Sequence, residues 1–247
     1  MLAPRRIAVL TICFGCALAE SASAAGGLGV TPSIMQTTAR SGASAAATVT
    51  NTSSRKLRVT VRARPWRQAR SGKVTANRSR GLSGVRVIGS KFSLSPGASR
   101  TIAVKLLHVP ARKSLYGALE VVGKPAKKHA GINVAYRLIS SIRFSPRASA
   151  RKLRLGAGST VVKKRVLSLK VRNRGNTVDP VSGSYSLSGP GGARSGAIGA
   201  KSILPGRLIN LRLGSLAGFR KGSYTVTVRL LQAGRIRATV TRHFRLR

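Results

Sequence analysis

The sequence predicts an all-β chain of two tandem sandwiches behind a cleaved leader. Three observations carry this. Apolar and polar residues alternate over short runs, and no stretch shows a convincing 3.6-residue period. Turn residues punctuate the runs, among them Pro96-Gly97, Pro190-Gly191-Gly192 and Pro205-Gly206. One strand–turn–strand pattern also occurs twice.

The first copy spans residues 91–107, KFSLSPGASRTIAVKLL. Phe92 and Leu94 alternate with Ser93 and Ser95, then Ile102, Val104 and Leu106 with Ala103 and Lys105. Between them Pro96 presets φ at the first central position of a turn, and Gly97 tolerates the positive φ of a type II second position. The second copy is SILPGRLINLR, residues 202–212. Each copy is preceded by a strand ending in Asn, ATVTN at Asn51 and LKVRN at Asn173. Each is followed by a tyrosine strand, LYGALEVV with Tyr116 and SYTVTVRLL with Tyr224.

The 247 residues suit two domains at about 100–200 residues each. The charge is the outlier: 46 Lys+Arg against 3 Asp+Glu, a formal net charge of +43. A hydrophobic content of 42% still allows folded cores. Arg5-Arg6, the apolar run 7–19 and Ala22-Ser23-Ala24 make the tripartite pattern of a secretory leader, removed after residue 24. Ala8 argues against a twin-arginine signal, and Cys13-Phe14-Gly15-Cys16 is a poor lipobox. Both cysteines fall in this leader, so the mature chain is expected to lack disulfides and thiolate metal sites. The expected organisation is a signal peptide over 1–24, a first sandwich over 25–145 and a second over 152–247. The Pro/Ser/Ala-rich stretch 145–151 forms the boundary.

Taken in order, residues 28–35 read as an edge strand, because Pro32 cannot donate to a central ladder. A weak strand of small residues covers 44–50. Leu57, Val59 and Val61 alternate with Arg58, Thr60 and Arg62, and Pro65-Trp66 is expected to end that strand. Trp66, the lone tryptophan, reads as a core or rim plug. Residues 67–84 form a long Arg/Ser/Gly-rich loop, either a solvated connection or a basic loop that grips a polyanion. A strand over 115–122, a Lys-rich turn over 123–130 and a last strand from Ile132 towards Phe144 complete the first half. In the second half, strands are expected around Leu167–Val171, Gly183–Leu187, the run after Pro205-Gly206, Tyr224–Leu230 and Ile236–Leu246.

Catalysis is hard to build from this chain. Beyond the leader its acids are Glu120 and Asp179. Glycosidase chemistry needs a positioned carboxylate pair, and these two belong to different domains. Glu120 is expected to pair with a neighbouring cation, and Asp179 to shape a turn beside Pro180. His108, His129 and His243 lack metal-ligand spacing. There is no G-x-S-x-G elbow, and the glycines at 189–192 lack the Lys-Ser/Thr of a P-loop. The reading is therefore no enzyme, no cofactor and no metal. Aromatics make up 4% of the chain, too few for base stacking, and the charge is spread over both halves. Together with the leader, this excludes specific nucleic-acid recognition.

Several motifs carry a family likeness. Val30-Thr31-Pro32, Val49-Thr50-Asn51-Thr52, Phe92-x-Leu94-x-Pro96-Gly97 and Tyr116-Gly117-Ala118-Leu119 resemble the PapD-like immunoglobulin sandwiches. Within these they resemble the first domain of WxL-interacting (DUF916-like) bacterial surface proteins, a peptidoglycan-binding type. Val171-Arg172-Asn173-Arg174-Gly175-Asn176, Ile203-Leu204-Pro205-Gly206 and Gly222-Ser223-Tyr224 resemble the sandwich that follows it. The likeness implies two tandem immunoglobulin-like β-sandwiches in a non-enzymatic envelope protein. The chain departs from that family in lacking its C-terminal membrane helix and in its basicity.

Two functions follow. The first is a secreted or periplasmic adhesion protein, bound to an anionic cell-wall polymer or surface protein, with peripheral membrane contact. Its candidate polyanion-binding residues are Arg58, Arg62, Arg64, Arg67, Arg70, Lys73, Arg78 and Arg80. The second is a PapD-like periplasmic assembly chaperone that adds a strand to a secreted client. That reading requires an open sheet edge and basic residues in the cleft between domains.

Overall fold

The computed structural model describes residues 22–23, 26–127 and 132–247. The n-region, the apolar run and both cysteines of the expected leader lie outside the described residues, as does His129. The chain folds as two all-β sandwiches. One sheet of the first runs β1 (Ala22–Ser23), β2 (Gly29–Thr31), β4 (Ser44–Thr50), β9 (Ser99–Leu106), β7 (Val85–Ile88). The other runs β3 (Ile34–Thr38), β11 (Tyr136–Ser145), β10 (Leu115–Pro125), β5 (Leu57–Gln68). Here β8 (Lys91–Leu94) and β6 (Val74–Ala76) pair with opposite ends of β5. The second sandwich packs β12 (Leu155–Lys163), β13 (Val166–Asn173) and β16 (Leu208–Ser215) against β15 (Gly192–Lys201), β14 (Val181–Gly189), β17 (Gly222–Gln232) and β18 (Arg235–Leu246). A short 3-10 turn, Ala148–Ala150, stands between them.

The alternation in the sequence becomes burial. On β5, Leu57, Val59 and Val61 are buried while Arg58 and Arg62 face solvent. They join Val49, Ile102, Val104, Leu119, Ile142 and Phe144 in the first core. The second core gathers Leu169, Val171, Ile209, Tyr224, Val226 and Val228. Phe244 stacks on Tyr224 at 5.7 Å.

The repeated motif folds alike in both halves. Asn51 Nδ2 donates to the Arg55 and Leu94 carbonyls at 2.8 and 3.1 Å. Its Oδ1 accepts from Ser53 N–H, and its carbonyl from Gly97 N–H. Asn173 repeats this with Thr177 O, Ile203 O, Gly175 N–H and Gly206 N–H. Both asparagines are fully buried with their polar atoms satisfied, as burial of an amide demands. Gly97 and Gly206 take φ of +73° and +78°, the conformation that a type II turn imposes.

Four expectations are corrected. The first strand is split at Pro32: β2 and β3 lie in different sheets. Pro65-Trp66 does not end β5. Pro65 is the last partner of β10, opposite Gly117, and from Trp66 onward β6 takes over. A proline without an N–H is tolerated where the partner changes. Part of the loop over 67–84 is therefore the β5–β6 hairpin. β11 begins at Tyr136 rather than Ile132, since β10 ends at Pro125, which has no N–H to extend the ladder. Finally, β12 and β15 were not legible. They are Gly-, Ala- and Ser-rich edge strands whose own strand propensity is weak, and ladder hydrogen bonds to β13 and β14 define them.

Candidate functional site

The eight cations singled out in the sequence do not form one surface. Arg64 is 9% exposed, and its Nε donates to Glu120 Oε2 at 3.0 Å. Arg78 and Arg137 contact Glu120 Oε1 at 3.5 and 3.4 Å. Glu120, 3% exposed, is thus the anionic centre of three arginines, as a buried carboxylate requires. Arg80 lends its carbonyl to Arg64 Nη1. Arg58 donates to the Ala126 carbonyl, and Arg62 faces solvent on β5. Arg64 and Arg78 thus meet on an acid. Arg67, Arg70 and Lys73 converge on open space. They line one side of a groove of about 600 Å³, with Arg172 and Arg207 of the second sandwich on the other.

A second feature is an open edge. The C-terminal half of β11 pairs with β3, from Ser141 opposite Ile34 to Ser145 opposite Thr38. The buried Ser140 hydroxyl donates to the Pro32 and Ser33 carbonyls at 3.0 and 2.7 Å and closes that junction. Among the described residues, no strand covers the outer edge of β11 from Tyr136 to Ser140. Leading into it, Ile132 and Val134 are 87% and 49% exposed. They continue in sequence the alternation of Tyr136, Leu138, Ile142 and Phe144, the apolar stripe by which β11 packs on the first core. An edge with unpaired amides and apolar side chains is a template for another strand.

Beyond the C-terminal half of β11, on the face opposite that stripe, lies a cleft between the sandwiches, a cavity of about 550 Å³ lined by Gln36, Tyr116, Arg143, Arg151 and Asp179, among others. Arg151 Nη2 donates to Asp179 Oδ1 at 2.8 Å. Burial acts to raise the Asp179 pKa, but the Arg151 guanidinium helps outweigh it and hold the carboxyl below its ordinary value. Burial pushes the Tyr116 phenol above its ordinary value, and its hydroxyl donates to the Asn176 carbonyl. Arg143 takes part in none of the ion pairs among the described residues.

The two sandwiches are joined by polar contacts. Asn176 Nδ2 donates to the Arg112 and Ala150 carbonyls, and Oδ1 accepts from Lys152 N–H. Gln68 Nε2 donates to Ser202 O while Oε1 accepts from Leu204 N–H, both at 2.9 Å. Sequence reasoning missed Gln68, Arg143, Asn176, Arg172 and Arg207. Nothing in a one-dimensional pattern marks a polar residue that meets the other domain. The stripe at 132–138 was legible as alternation, but its lack of a neighbour was not.

No protein-family model matches the chain, and no curated protein matches it. Solved structures do. A chain of the chaperone–tip adhesin complex of CFA/I fimbriae biogenesis superposes with a TM-score of 0.56 at 17% identity, over 88% of this chain and 98% of that one. The class 5 fimbriae chaperone CfaA gives 0.56 at 16%, over 87% and 98%. A chain from the complex of the Salmonella enterica SafA pilin with the SafB chaperone gives 0.50 at 15%, over 91% and 99%. The fold is PapD-like. At these identities the likeness shows architecture, and none of it points to the WxL-interacting branch suggested by the motifs.

Proposed function

We propose that this protein is a non-enzymatic, PapD-like chaperone of the cell envelope that holds a secreted client subunit by β-strand addition along β11. The observation that carries the reading is the uncovered edge from Tyr136 to Ser140, with Ile132 and Val134 exposed ahead of it. A client strand laid there would satisfy the free backbone groups, and a client groove would cover the alternate apolar side chains. Arg143 in the cleft below supplies the basic residue that the reading requires. The fimbrial chaperones that share the architecture are named with pilin and adhesin partners, which supports the same choice. The expected leader accords with a periplasmic place of work. Adhesion to an anionic wall polymer, the first reading from the sequence, draws no support from the comparisons.

Co-expression with candidate surface subunits, followed by purification at about 1 M salt, tests this, since charge contacts are then screened beyond roughly 3 Å. A stoichiometric client should survive the wash. It should be lost from the variant carrying Ile132→Asp and Val134→Asp, with amide exchange at 136–139 slowed only in the wild-type complex. A client that washes off with salt, or that tolerates both aspartates, overturns the proposal.

A further inference from the structure

We infer that the groove between the sandwiches opposite the β11 edge is a binding site for a phosphate-dense anion. Its cations come from two domains: Arg67, Arg70 and Lys73 from the β5–β6 hairpin, Arg172 from β13 and Arg207 from the Pro205-Gly206 turn. All five side chains reach solvent. Among the described residues the ion pairs are those of Glu120 and Asp179, and neither acid lines this groove. The five charges therefore have mobile counterions alone to balance them.

The fold brings these like charges together deliberately rather than by drift of long side chains. Gln68 clamps the hairpin to Ser202 and Leu204 of the second sandwich, and Asn210 N–H donates to the Arg70 carbonyl at 2.6 Å. These bonds hold the hairpin against the edge of β16 and oppose the repulsion that would splay it away. Like charges held close favour a multivalent counter-ligand, because its binding releases the small ions.

Phosphates suit the groove better than carboxylates. Four of the five cations are arginines, whose planar fork grips a phosphate through two parallel hydrogen bonds. A terminal phosphate carries nearly two negative charges on three oxygens, so several fit within about 600 Å³, whereas the same number of carboxylates leaves the groove positive. The scarcity of aromatics argues against stacked bases in the same space. The phosphates have two possible sources, a soluble oligophosphate or phosphorylated lipid headgroups.

Titration calorimetry of the full chain with tripolyphosphate tests the site, with vesicles containing phosphatidic acid as a second arm. The groove variant is Arg70→Gln, Lys73→Gln and Arg207→Gln. A control of equal charge loss is Arg86→Gln, Lys163→Gln and Arg245→Gln, all exposed and outside the groove. Tripolyphosphate should bind one to one and weaken steeply with salt. Affinity should fall at least about tenfold in the groove variant and stay within about twofold in the control, as expected for buried-area-independent charge recognition. If the vesicles are bound and only the groove variant loses them, the source is a lipid headgroup. If only the soluble probe behaves so, it is a free oligophosphate. Equal losses in both triples, or no one-to-one binding at low salt, overturns the inference. Val134→Asp should leave tripolyphosphate binding unchanged, so failure here is separable from failure of strand donation.

Discussion

Among the described residues the last strand of each sandwich has an uncovered edge, β11 over Tyr136–Ser140 and β18 along its length, and the two edges are treated in opposite ways. β11 offers its outer edge with Ile132, Val134, Tyr136 and Leu138 along it. β11 is flanked by β3 over its C-terminal half only, whereas β18 lies at the end of its sheet and carries Arg235, Arg237, Arg242 and Arg245 around Ile236 and Phe244. Arg242 reaches across to the Gly158 and Ala157 carbonyls of β12, at 2.9 and 3.3 Å, beside the irregular pairing between Ala157 and Thr160. The second edge is thus guarded by charge and by a side chain that bridges the two sheets, both recognised defences against unwanted pairing. The first is left open over the same kind of ladder. The contrast teaches that exposure of an edge is a choice made locally, residue by residue, on a shared scaffold. Each final strand is also anchored by one arginine: Arg137 of β11 to Glu120, and Arg242 of β18 to backbone carbonyls.

The largest expected effect removes the first anchor. Glu120→Ala leaves Arg64 buried without its counter-charge, at a cost of about 3–5 kcal/mol. Trp66 lies in the first sandwich and is the only tryptophan, so its fluorescence during denaturant unfolding isolates that domain. An unchanged midpoint would show that the arginine triad does not hold β11's sheet.

The paired asparagines come next. Asn173→Ala orphans two buried carbonyls, those of Thr177 and Ile203. Asn51→Ala orphans one, that of Leu94, because the exposed Arg55 carbonyl keeps its bond from Ser53 Oγ. Each orphan costs about 1–3 kcal/mol. Thermal unfolding should show a loss from both variants, the larger from Asn173→Ala. A loss confined to one of them would mean that the repeated motif is not equally supported in the two halves.

Arg242→Ala probes the guarded edge. Loss of its carbonyl contacts should cost about 1 kcal/mol, and sedimentation should show concentration-dependent self-association through β18. A variant that remains monomeric would mean that the other arginines suffice.

The smallest effect is one of pH. Asp179 has a folded pKa below its ordinary 3.8. Its pairing with Arg151 therefore stabilises the fold fully above that value, and the contribution is lost as the pH falls through the lower, folded pKa. Asp179→Asn should flatten this part of the acid limb in a stability-versus-pH series, while leaving the Glu120 centre in place.

Much of the architecture was legible because strand burial has a period of two. Val59 against Arg58, or Val226 against Thr225, declares its side without help from the rest of the chain. The turns were legible because Pro96-Gly97 and Pro205-Gly206 have few backbone states to choose from. Strands β12 and β15 escaped because glycine and alanine carry little preference, and their neighbours' hydrogen bonds decided for them.

The chain alone determined two β-sandwiches, a strand–turn–strand pattern used twice with an Asn-ended strand before each copy, and an excess of 46 basic over 3 acidic residues. Those follow from side-chain size, backbone freedom and charge, which are properties of each residue. Tertiary structure decided the rest: that Arg64 is buried on Glu120 while Arg70 and Arg207 line one groove, and that the outer edge of β11 is uncovered over Tyr136–Ser140 where β18 is guarded. Contacts between residues far apart in the chain are set by how the sheets and domains dock, and no local pattern records them.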